Sequence, residues 1–287
     1  MRHKFYVQEV PDPFPIWEWI DKQTNVNKIA NSLKPSIDTA QLITLGHNLN
    51  IDEIKDATME AINKFHFHGW LSAEGRFNHY GGLSLTYNPN YSENVDANSQ
   101  TLGTEKNFAD QYFYDSIQNF KNYRNTYFDA YGYRHFAPCV TETKLQNVVK
   151  SFSRSLIRSR IGVVNAEYSD EITISNGGWH RDEPIHKNLR INIPILTDET
   201  FLWEMENVEP VHLPYGNIYS WDTNIAHRVF PTTKEKKLRI HVVLGFSPWF
   251  DYIPEEDAFI SNEFFGEMHP FDMLINGHVH PLISGIQ

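Results

Sequence analysis

The densest chemistry in the chain lies between residues 179 and 241. In GGWHRDEP, His180 and Asp182 are one residue apart. On an extended strand, positions i and i+2 project from one face, so both side chains reach a single ion. A third ligand has to come from a strand distant in sequence and adjacent in space, and His227 in NIAHRVFP follows the strand-like GNIYSW. Two neutral imidazoles and one carboxylate form a 2-His-1-carboxylate facial triad, which leaves three positions open on iron(II) for a cosubstrate and O2. Zinc prefers a closed or nearly closed tetrahedral site.

Twelve residues after His227 stands Arg239, in KKLRIHVVLGF. Alternation puts Leu238, Ile240, Val242 and Leu244 on one face and Arg239, His241 and Val243 on the other. A guanidinium on the His227 side can hold a carboxylate through a bidentate, charge-assisted pair. Arg190 occupies a comparable place in LRINIPILT, where Leu189, Ile191, Ile193 and Ile195 are the apolar side. Arg190 then looks into a pocket or out to solvent, and it joins Arg239 as a cofactor-binding candidate.

The HxD pair alone is a weak signal, because two polar residues in a strand usually face solvent; His227 and the arginine-bearing strand give it weight. An exposed ion pair with Asp222 or a surface glutamate is the plainer alternative for Arg239, worth only ~0–1 kcal/mol. His241, His186 and His212 stay outside the ligand set, since an isolated histidine is more often an ordinary polar residue. The same holds for His66/His68 and His278/His280, which lack an accompanying carboxylate and arginine strand. Trp179 and Trp221 flank the ligands, as core residues or as walls against water. Trp70, Tyr80 and Asn165 are candidates for a substrate pocket.

These residues need strands to position them. Leu189–Leu196, Ile218–Trp221, Leu238–Phe246 and residues 161–168 all show a period of two between Gly, Pro, Asn or Asp breaks. Upstream, Asn50 with Glu53 has capping-box spacing ahead of a helical stripe, and Thr143 with Gln146 opens a second helix expected over 144–157. GGLSLTYNP reads as a short strand, residues 90–105 as an exposed loop, and 108–136 as a helix followed by a loop. Residues 1–50 read as an irregular segment lying on a core, with one short strand or helix. The expected class is α+β with a mainly β core, a sandwich or barrel packed against helices. The chain is read as one catalytic domain over 1–287. It has an N-terminal extension over 1–142 carrying some barrel strands, a helix and β core over 143–250, and a C-terminal surface wrap over 251–287.

The stretch from about Gly178 to Phe246, with HRD, LRINIPI, YGNIYSWDTNIAH and LRIHVVLG in order, resembles the aspartyl/asparaginyl β-hydroxylase-like branch of the iron(II)/2-oxoglutarate dioxygenases. It covers about a quarter of the chain. The resemblance implies a double-stranded β-helix, or jelly roll, with His180, Asp182 and His227 as iron ligands. Arg239 would bind the far carboxylate of 2-oxoglutarate, and the activity would be hydroxylation. Some members lack the carboxylate ligand; Asp182 brings this chain closer to those acting on free amino acids or small molecules, with an Asp or Asn side chain in a peptide as the alternative. Two rivals stay open: a cupin-like metal isomerase or lyase that does not use 2-oxoglutarate, and a non-catalytic β-barrel binding module.

Composition narrows the partners. A formal net charge of -11 argues against nucleic acid, which needs clustered Lys and Arg. The single cysteine, Cys139, allows no internal disulfide and suits a reducing compartment. No run approaches the ~20 apolar residues of a membrane span, and the first residues lack a signal-peptide core. A cytosolic protein acting on a small molecule or peptide is expected.

Overall fold

A computed structural model describes residues 2–11, 14–65, 68–71, 77–89, 129–167 and 179–287, with the side chains of 68–71 and 77–80 left aside. The loop expected over 90–105, and residues 108–128 of the stretch expected as a helix followed by a loop, lie outside the described residues. In chain order the elements are β1 (Lys4–Tyr6), α1 (Ile16–Thr24), α2 (Val26–Ser32), β2 (Ile43–His47), α3 (Ile51–Phe65), β3 (His68–Leu71), β4 (Phe77–Ser84), β5 (Thr86–Tyr87) and β6 (His135–Phe136). There follow α4 (Pro138–Thr141), α5 (Leu145–Lys150), β7 (Arg160–Asn165), β8 (Leu189–Leu196), β9 (Phe201–Met205), β10 (Val208–His212), β11 (Ile218–Ser220), β12 (His227–Pro231) and β13 (Leu238–Phe246). The last are β14 (Phe250–Ile253), β15 (Ala258–Ser261), α6 (Pro270–Ile275) and β16 (Ile283–Ile286). The fold is mainly β, with antiparallel sheets and flanking helices.

A large sheet runs in the order β16-β2-β11-β8-β13-β7-β4-β3, and a small one in the order β10-β9-β12. An antiparallel bridge from His180 to His227 extends the small sheet beyond β12. From residue 160 to 246 the chain therefore shuttles between sheets. β7 is in the large sheet, His180 beside the small one, β8 large, β9 and β10 small, β11 large, β12 small and β13 large.

The alternation in β8 and β13 decides what each face of the large sheet does. Ile191, Ile193, Ile195, Ile240, Val242 and Leu244 are buried in the main core, which also takes Ile54, Ala57 and Ala61 of α3. Each such Ile, Val or Leu side chain contributes roughly 1.5–3 kcal/mol of burial. The opposite face carries Arg190, Asn192, Arg239, His241 and Tyr219. Against it the small sheet packs Trp203 and Met205 onto Tyr219 and Trp221, and Phe201 onto Val164. Polar groups between two sheets thus lie within a wall of aromatic packing.

Several expectations need correction. The helix predicted over 144–157 covers Leu145–Lys150 alone. Beyond it the serine-rich SFSRS segment turns its backbone to other partners. The Ser153 N–H donates to the Val279 carbonyl, and Leu156 bridges Phe246 as extended chain. Serines compete well for backbone hydrogen bonds, so the helical spacing of Phe152 and Leu156 was coincidental. Residues 1–50 are more regular than expected, holding among the described residues two α-helices, a short 3-10 helix at Val7–Glu9 and two strands. Nor is 251–287 a surface wrap: Phe259, Phe271, Met273 and Leu274 are fully buried, and β16 pairs with β2 inside the large sheet. The helix from Ile51 starts as predicted, its Glu53 N–H donating to Asn50 Oδ1 at 3.3 Å. Among the described residues no helix is long and apolar enough to cross a membrane.

His186 shows what such burial does to a titratable ring. Stacked beside Trp249 and tilted on Trp17, with Nε2 donating to Asn27 Oδ1 at 2.9 Å, it is held neutral, burial pushing its pKa down to about 4. The unfolded chain, at ~6.5, takes the proton first. Stability is therefore complete at neutral pH and falls as the pH drops from 6.5 towards 4, by roughly 3 kcal/mol for this residue. Urea unfolding at pH 7 and pH 4 should show that difference shrinking by about this amount in His186→Phe.

Candidate metal centre

The backbone sets the ligand positions before any side chain is considered. His180 and His227 exchange hydrogen bonds, N–H to carbonyl, at 3.1 and 3.0 Å, and the Asp182 N–H donates to the Thr223 carbonyl at 2.8 Å. Thr223 Oγ1 in turn donates to the Glu183 carbonyl at 2.8 Å. The HRDE segment is thus laced to the turn before β12, with His180 and Asp182 on one face beside His227.

The three potential ligand atoms lie within 4.8 Å of one another. Asp182 Oδ2 is 3.7 Å from His227 Nε2 and 4.0 Å from His180 Nε2. Bonds of ~2.1 Å at right angles put adjacent ligand atoms ~3 Å apart, so the Asp182 edges need to close by about an ångström around an ion. His227 Nδ1 donates to the Ile225 carbonyl at 2.9 Å. That bond keeps the proton on Nδ1 and the lone pair on Nε2, as a ligating imidazole requires. Trp221 stands edge-on to the same ring at 5.5 Å and is itself packed on Trp203.

Burial and charge around the site set the protonation of Asp182, Glu183 and His227. Burial raises the Asp182 carboxyl, but Arg190, His180 and His227 outweigh it and hold it well below the usual range. Glu183 is pushed down to about 2, burial being overcome by Arg158 and Arg190. His227 falls to about 4, first through burial and then through His180.

Arg190 is buried, and its guanidinium binds Asp182 Oδ2 and, at 2.6 Å, Glu183 Oε2. It therefore supports the carboxylate of the candidate ligand set, where a cofactor-binding group is expected from the sequence. Glu183 also receives Arg158. Replacing Arg190 by Met should leave two largely buried carboxylates short of their partner, at a cost of about 3–5 kcal/mol. Urea denaturation checks this, with Arg190→Lys expected to lose less because one point charge remains.

Arg239 is buried on the same large-sheet face, and its Nη1 donates to His241 Nδ1 at 2.7 Å. The exposed ion pair with Asp222 is thereby excluded for it. Register places Arg160 and Gly162 of β7 beside Val243 and His241 on this face. Arg160 is pushed down to about 10 by burial and by Arg190. Arg158, Arg160 and Glu183 were not singled out from sequence; for Arg160 the signal was its inward phase in RIGVVN.

The other candidates separate. Trp221 backs a ligand as described. Trp179 projects the other way from His180, under the Arg228 guanidinium at 4.8 Å, so it does not wall off the ligands. Asn165 pairs with Leu238 on the helix-facing side, one residue out of phase with Val164 and Arg239, and its Oδ1 accepts from the Glu167 N–H at 3.1 Å. It therefore leaves the pocket set. Tyr80 pairs through its backbone with Val164, and Trp70 lies in β3; their side chains fall outside the described residues. His212 contacts the Phe201 carbonyl at 3.3 Å, away from the ligands.

The arrangement can hold one divalent cation on three side chains, with a buried guanidinium on the facing sheet. No family model matches the chain, and no curated protein matches it in sequence.

Proposed function

We propose that the chain is an iron(II)/2-oxoglutarate-dependent oxygenase that hydroxylates a C–H bond of a small, amino-acid-like substrate within a double-stranded β-helix. The strand shuttling between residues 160 and 246 supports that topology, with β7-β13-β8-β11 as one sheet and the His180 segment, β12, β9 and β10 as the other. The observation that carries the reading is one shared interior. Arg190 touches Asp182, and Arg190 and Arg239 stand on the same face of the large sheet. Ligands and anion anchor thus look into the same space.

The donor set fits iron(II): two imidazoles, one ionised carboxylate and room for three further ligands. Arg239 suits the far carboxylate of a dicarboxylic keto acid. With iron(II), 2-oxoglutarate and O2 bound, the chemistry supplied is oxidation of the keto acid to succinate and CO2, the second oxygen atom entering the substrate C–H bond as a hydroxyl. The protein's own part is to keep His227 Nε2 unprotonated through the Ile225 carbonyl, keep Asp182 ionised through Arg190, and shield the centre with Trp221 and Trp203. Arg160, on the same face as Arg239, adds positive charge that favours a substrate carrying a carboxylate.

Anaerobic addition of iron(II) and 2-oxoglutarate should raise a visible metal-to-ligand charge-transfer band. Admission of O2 with a panel of amino acids and peptides should then release succinate, fastest with the true substrate. Iron binding without a band or succinate would favour an isomerase or lyase on the same triad, and absence of iron binding a non-catalytic module.

A further inference from the structure

We propose that His241 is a positioning residue, orienting the Arg239 guanidinium and thereby setting the affinity for the cosubstrate's far carboxylate. The inference rests on the anchoring role given to Arg239 above. The two residues are i and i+2 on β13 and share a face, and Arg239 Nη1 donates to His241 Nδ1 at 2.7 Å. A guanidinium carries donors and no acceptor. Nδ1 must therefore hold the lone pair, and the ring proton sits on Nε2.

The ring is itself held in place by what is missing across the ladder. His241 pairs with Gly162 of β7, and a Cβ there would lie 2.5 Å from His241 Cε1 and 2.8 Å from its Nε2. Real Cβ atoms do not approach so closely, and the ring would have to leave. Gly162 is thus the cavity into which the imidazole fits.

A neutral acceptor is what an anion anchor needs behind it. A carboxylate at position 241 would hold the guanidinium firmly but cancel the charge meant for the ligand. An aliphatic residue would spare the charge and remove this acceptor, weakening the pre-organisation on which bidentate recognition depends. Burial, with Arg239 and then Arg160, keeps the His241 ring well below its ordinary pKa and so uncharged.

The test is an anaerobic titration of 2-oxoglutarate into the iron(II)-loaded full chain, read by the charge-transfer band, for wild type, His241→Leu, His241→Asn and Gly162→Ala. An asparagine Oδ1 falls close to where Nδ1 stands and restores the acceptor. The Leu and Gly162→Ala variants should raise the Kd about tenfold or more with iron affinity unchanged, while Asn stays within about threefold of wild type. A Leu variant as tight as wild type overturns the inference, as does an Asn variant as weak as Leu, since packing alone would then explain the loss. If the Leu variant does not fold, a weakened Gly162→Ala beside a retained Asn variant supports the inference, and an unweakened Gly162→Ala overturns it. A wild type that gives no band removes the cosubstrate reading and this inference together. A wild-type band that the substitutions leave untouched removes this inference alone.

Discussion

Loss of iron(II) binding, by more than about a hundredfold, is expected for both His180→Ala and His227→Ala, since even supporting groups around a metal cost 10–100-fold. The two should differ in stability. The His180 side chain is half-exposed, and its truncation costs the fold little. His227 is buried, and its loss leaves the Ile225 carbonyl without its donor, a penalty of about 1–3 kcal/mol. Metal content after equilibrium dialysis and urea midpoints, measured on both variants, separate ligation from packing. His180→Ala retaining one iron per chain would falsify the ligand set.

Arg239→Ala should leave iron binding intact and raise the 2-oxoglutarate KM by roughly a hundredfold, the worth of two charge-assisted hydrogen bonds at about 1.5 kcal/mol each. The effect belongs to the cosubstrate: the KM of the primary substrate should move far less. An unchanged 2-oxoglutarate KM removes Arg239 from its role, whatever happens to kcat. Arg190→Met offers the contrast, since its guanidinium serves Asp182 and Glu183; it should damage stability and metal affinity together.

How much of this was legible in the residues depended on whether local pattern or tertiary partners decided the outcome. LRINIPIL and LRIHVVLGF became strands over the ranges expected, because strict alternation with β-branched residues admits one burial pattern. The β9–β10 hairpin was not foreseen. FLWEMENVEPVH mixes charge with bulk, and its turn depends on Asn207 adopting a positive φ of 66°. In the site, the i, i+2 spacing of His180 and Asp182 could be read directly, and their approach to His227 followed from strand order. The partner of Arg190 could not, since Asp182 lies eight residues back across a turn that local periodicity does not describe. His241 was passed over as an isolated histidine for the same reason: its meaning comes from Arg239 beside it and Gly162 on a strand far upstream.

The composition of the large sheet also bears on how the chain reaches its native state. β2, from residues 43–47, has β11 on one side and β16, from residues 283–286, on the other, and Lys4 of β1 pairs with Ile260 of β15. Its two flanking partners are thus separated from it by most of the polypeptide. Such pairings reward the chain only after long loops have closed, which places folding among slow, high-contact-order reactions on the millisecond-to-second scale. During synthesis on the ribosome the large sheet would therefore gain its edge strand β16 only after nearly all of this sequence has been made.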